Sequence, residues 1–90
     1  MTKVEIVNQI ARETGVEATT VSAVVEGFME EVRAAQLRKE NVFLRGFGTF
    51  LIKHRKAKTA RNITKNTTIV IPAHDIPAFK SSPDFSRLLK

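Results

Sequence analysis

The sequence predicts an α+β fold: a helical first half, an antiparallel β-sheet drawn out into a protruding hairpin, and a short C-terminal helix. Three observations predict it. Apolar residues recur at helical spacing as far as Ala35, and the period shortens to that of strands after Asn41. The positive charge then collects almost entirely in the strand half.

Thr2 followed by Glu5 is a capping box, with Met1 and Ile6 placed to close a hydrophobic staple across it. Val4, Val7, Ile10 and Ala11 supply one apolar face, and Gly15 stands where a left-handed cap ends a helix, so the first helix is expected over 3–14. Val21, Val24, Val25, Phe28, Met29, Val32 and Ala35 follow helical spacing without a miss, and are read as the packed face of a second helix. Its start falls at Glu17, Thr19 or Thr20. Strands are expected over 42–45 and 49–55, joined tightly by Gly46-Phe47-Gly48, with 69–71 as a return strand. Pro72 and Pro77 confine the stretch that follows to edge or irregular positions. Ser82, Pro83 and Asp84 then open a final helix whose apolar face is Phe85, Leu88 and Leu89.

Ninety residues, 42% of them hydrophobic, suffice for one domain over 1–90. They divide into a helical region (1–40), a sheet region (41–81) and the last helix (82–90). So short a chain leaves much of its surface in water, which favours self-association. The absence of cysteine excludes disulfides, thiolate metal sites and thiol nucleophiles, and fits a reducing cytosol. No apolar run approaches the roughly 18 residues of a membrane span. His54 and His74 are isolated, and no nucleophile, base or ligand cluster accompanies them, so neither an enzyme nor a cofactor or metal is expected.

The net charge of +6 is unevenly held: residues 1–40 carry −2 and residues 41–90 carry +8. No acid lies between Glu40 and Asp75, while Arg45, Lys53, Arg55, Lys56, Lys58, Arg61 and Lys65 all do. Within 53–68 only Ala57, Ala60 and Ile63 are apolar, too few for either face of a strand pair to join a core. The segment is therefore expected to project as an arm of about eight residues a side, reaching roughly 25 Å. Cations on both faces suit a nucleic-acid groove walled by phosphates. Ile63, an apolar residue near the tip, is open to two readings: a wedge between base steps, or one of the single exposed apolar residues common on any surface.

Gly46-Phe47-Gly48-Thr49-Phe50, Arg55, Ala60-Arg61-Asn62, Ile71-Pro72-Ala73 and Pro77-Ala78-Phe79-Lys80 together resemble the HU and integration host factor family, end to end. The resemblance implies an intertwined dimer, of identical or paralogous subunits, with an α-helical base and one β-arm per subunit. It implies architectural, largely sequence-nonspecific binding and bending of double-stranded DNA from the minor groove, and a nucleoid-associated place in the bacterial cytoplasm. Phe47, Phe50 and Phe79 then fall in the dimer core, which Phe28 joins. Lys53, Arg55, Lys56, Lys58 and Arg61 fall on DNA along the arm, Asn62, Ile63, Thr64 and Lys65 at its tip, and Lys80 and Lys3 on flanking DNA. The family's usual proline after Arg-Asn is replaced here by Ile63. Two further readings are a sequence-preferring subunit like integration host factor and an RNA-binding, ribosome-associated module. The arm's lack of stacking aromatics argues against the second.

Overall fold

The computed structural model describes residues 1–62, 64 and 67–89, with Asn62 by its backbone alone. The elements run α1 (Lys3–Thr14), α2 (Ala18–Leu37), β1 (Val42–Leu44), β2 (Gly48–Arg55), β3 (Lys58–Asn62), β4 (Thr67–Ile71), β5 (His74–Ser81) and α3 (Pro83–Leu88). They form two compact units, Met1–Ala35 and Gln36–Lys90.

In the first unit, α1 begins and ends on its local signals. Thr2 is extended, its hydroxyl accepts the Glu5 N–H at 3.3 Å, and Gly15 (φ 76°) returns its N–H to the Ala11 carbonyl. Only half of the capping box forms, because the Glu5 carboxylate meets the Thr2 hydroxyl instead of its backbone N–H. The expected staple does not close: Met1 is 81% exposed and Ile6 is exposed too. A chain-end side chain would give up rotamer freedom for a contact that water reaches from most sides, and so wet a contact does not offset that entropy. α2 starts with the Val21 N–H on the Glu17 carbonyl, earlier than either threonine. Val7, Val21, Val32 and Ala35 are buried, and the Lys3–Glu26 ion pair ties α1 to α2. The α2 stripe is not wholly core, since Val24 is 66% and Phe28 44% exposed. Periodicity identifies an apolar face, but a chain this small lacks the surface to cover all of it.

In the second unit, three antiparallel strands lie in the order β1-β2-β5, with Phe50 opposite both Val42 and Phe79. The β1–β2 turn closes through the Phe47 N–H on the Leu44 carbonyl, and it needs Gly46 because φ there is 78°. Pro77 sits in β5, an edge strand, where its missing N–H costs least. The Phe47 ring lies 5.3 Å from both Phe79 and Phe85, and Phe50 lies 4.9 Å from Phe79. α3 forms as expected, with the Ser82 hydroxyl accepting the Phe85 N–H at 3.1 Å and Pro83 at the first turn. Leu88 and Leu89, however, are over 80% exposed: Phe85 takes the inward position, and a helix of six residues has room for little more. Lys39, in the turn after α2, has φ 64°, a conformation costing a side-chain-bearing residue on the order of 1 kcal/mol.

β3 and β4 make a separate two-stranded sheet, with Lys58 opposite Ile71, Ala60 opposite Ile69 and Arg61 opposite Thr68. The arm is thus bounded differently from expectation. Lys53 and Arg55 belong to the body sheet, paired with Ile76 and His74, while the return strand containing Ile69 and Ile71 belongs to the arm. Charge marked this region as projecting, but where a ladder breaks is set by both strands at once, and Pro72, with no N–H to give, falls beside the break.

Candidate nucleic-acid interface

The cationic residues are strung along one continuous path. β2 ends in Lys53, His54 and Arg55, all exposed; Lys56 and Ala57 cross to the arm; Lys58 and Arg61 follow on β3. Alternation along a strand puts Lys58 on one face of the ribbon and Arg61 on the other. The neighbours across the ladder are Thr68, Val70, Ile69 and Ile71, none of them acidic. Thr64 is exposed. Ile63, Lys65 and the Asn62 side chain lie outside the described residues, and with them the expected wedge.

A second cationic zone lies at the far end of the same sheet. Lys80, on β5 opposite Thr49, is exposed and lines an open groove of about 340 Å³ with Arg45, Gly46, Ser82 and Pro83. Counting along β5 from His74 at the arm's root, Lys80 is on the order of 20 Å away. Arg45, which was not among the residues expected on DNA, shares that groove with Lys80. Lys3 is held by Glu26. Of the expected core phenylalanines, Phe47, Phe50 and Phe79 cluster in the second unit, and Phe28 on α2, Phe47 and Phe79 are each open to solvent on this single chain.

At the root of the arm sits one acid. The Asp75 carboxylate accepts from His54 Nδ1 at 2.8 Å and from Lys39 Nζ at 3.0 Å. These hydrogen bonds, His54 first and then Lys39, hold its pKa below the ordinary aspartate value. Because the folded pKa is depressed, the contribution to stability is present above the unfolded value and disappears as pH falls through the folded one. An NMR titration of the Asp75 carboxyl carbon is expected to give a midpoint below that of an unstructured peptide carrying the same residue; an equal midpoint would dissolve the cluster. The sequence marked Asp75 only as the end of the acid-free window and gave no sign of its pairing with Lys39, since residues 36 positions apart show no periodic relation.

The whole of this chain, residues 1–90, matches the model of the family described as bacterial DNA-binding protein. The chain belongs to that family, the one that holds HU and integration host factor. Among HU and integration host factor proteins, the chain is 39% identical over 80 residues to DNA-binding protein HU of Thermus thermophilus, covering 89% of this chain and 82% of that one. It is 32% identical over 81 residues to integration host factor subunit alpha of Mannheimia haemolytica, covering 90% and 82%. A solved structure of Anabaena HU in a cocrystal with DNA superimposes with a TM-score of 0.93 at 32% identity, over 99% of this chain and 97% of that one. The order of helices, antiparallel strands and final helix is that of the HU fold.

Proposed function

We propose that the chain binds and bends double-stranded DNA as an architectural protein, laying its arm along the minor groove. The observation that carries this reading is an exposed strand pair with cations on both faces and no acid from residue 41 to residue 74. Such a ribbon gains affinity by releasing counterions from phosphates, which makes binding salt-sensitive and weakly selective for sequence. The similarity to an HU solved with DNA supports the same partner. The chain is not an enzyme, in keeping with a family of DNA-binding proteins. The contacts proposed are Lys53, Arg55 and Lys56 at the root of the arm, Lys58 and Arg61 along it, Asn62, Thr64 and Lys65 at its tip, and Lys80 and Lys3 on flanking DNA. The working unit is a dimer whose two protomers cover each other's Val24, Phe28, Phe47 and Phe79, all of them open to water on one chain. By its family it acts on the nucleoid, in the cytoplasm.

Ile63 is the proposed wedge, entering between base steps from the minor groove. Smooth bending of a duplex costs on the order of 1 to 6 kcal/mol, so a nicked or prebent duplex is expected to bind more tightly than an intact one. The test is energy transfer between duplex ends together with affinity on both duplexes. Ile63→Ala is expected to reduce the bend while leaving most of the affinity; an unchanged angle reduces the tip to a turn. Equal affinity for intact and nicked duplexes overturns the bending reading, and preference for RNA duplex of equal length overturns the partner. Similarity to integration host factor subunits favours a second reading, in which a particular site is preferred, and competition with mixed-sequence duplex separates the two.

A further inference from the structure

Between the body sheet and the arm the backbone ladder is interrupted. The β2–β5 pairing ends at Arg55 and His74, the arm pairing begins at Lys58 and Ile71, and Lys56-Ala57 and Pro72-Ala73 bridge the gap. No ladder bond carries direction across that gap, so the course of the arm depends on how firmly the last body pairs are held. Asp75 and His54 are the last pair but one, and their side chains, on one face, are joined at 2.8 Å. The other oxygen of Asp75 takes Lys39, which reaches in from the turn after α2. Lys39 is also the one residue other than glycine with a positive φ among the described residues. A conformation of that kind persists where its surroundings over-determine it, and the ion pair to Asp75 is what this side chain has in exchange.

We propose that Lys39, Asp75 and His54 clamp the root of the arm, and that Asp75 is a positioning residue for DNA bending. The inference rests on the bending reading above. Affinity comes from the cations spread along the ribbon, whereas a bend is forced through the root, so loosening the root alters the angle more than the strength of binding. Asp75 is itself negative, and removing it also relieves repulsion toward phosphate. A role that was merely electrostatic would therefore tighten binding and leave the bend intact.

The test compares wild type, Asp75→Asn, Lys39→Gly and the swapped pair Lys39→Glu with Asp75→Lys. In the free protein, amides of residues 53–55 and 74–76 are expected to exchange about threefold faster in Asp75→Asn, the size of effect an exposed ion pair supports. Energy transfer is expected to show a smaller bend with affinity equal or higher. Lys39→Gly relieves the backbone while removing the pair, so it is expected to melt no lower than wild type and still show the looser root, which separates the clamp from general damage to the fold. The swapped pair is expected to recover both exchange and bend. Unchanged exchange, or an unchanged bend, in Asp75→Asn overturns the clamp alone. A wild-type chain that leaves DNA straight overturns the bending reading itself.

Discussion

Gly48→Ala is expected to destabilise the protein by more than about 2 kcal/mol, in the range of overpacked buried sites. A methyl group at this position would stand 2.5 Å from the Lys80 carbonyl oxygen and 2.5 Å from the Phe79 ring. The carbonyl cannot yield cheaply, because it belongs to the β2–β5 ladder, where Lys80 faces Thr49; the Phe79 ring, packed on Phe47 and Phe50 but 42% exposed, would have to turn outward. Moving the strand would shift Lys80 and the groove it shares with Arg45, so any folded remnant is also expected to hold flanking DNA more weakly. Urea unfolding measures the first effect. A variant within about 0.5 kcal/mol of wild type would mean that ring and strand can part.

Replacing Lys53, Arg55 and Lys58 together by glutamine is expected to flatten the dependence of log affinity on log salt by two to three units, roughly one for each phosphate no longer neutralised. All three are exposed, so melting should be nearly unaffected. The weakening is expected to be uniform across DNA sequences, because bonds to phosphate carry no sequence information. An unaltered slope would remove these three residues from the interface. A weakening confined to some sequences would instead place these residues on base edges.

What the sequence made legible was what local chemistry decides. Thr2 and Gly15 mark the two ends of α1 because a cap is made by neighbours three or four residues away, and Ser82 with Pro83 marks α3 for the same reason. The acid-free block was legible because charge needs no partner to be counted. Features that depend on distant pairs were not. Placing Ile69, Val70 and Ile71 in the arm required knowing that β3 takes β4 as its partner while β2 takes β5. Val24 and Phe28 looked like core because a helical period reports which side is oily and says nothing of what lies against it. Lys39 gave no hint of a left-handed backbone, a conformation that sequence announces only when glycine or asparagine stands there.

The gap between the two sheets has an evolutionary corollary. With Lys56-Ala57 and Pro72-Ala73 as its sole covalent joints, the ribbon beyond them shares no ladder with the aromatic cluster around Phe47. Its length, charge and tip are open to rewriting by mutation while the globule stays as it is, as a tool handle accepts different heads. Grip on nucleic acid and soundness of fold can then be selected separately.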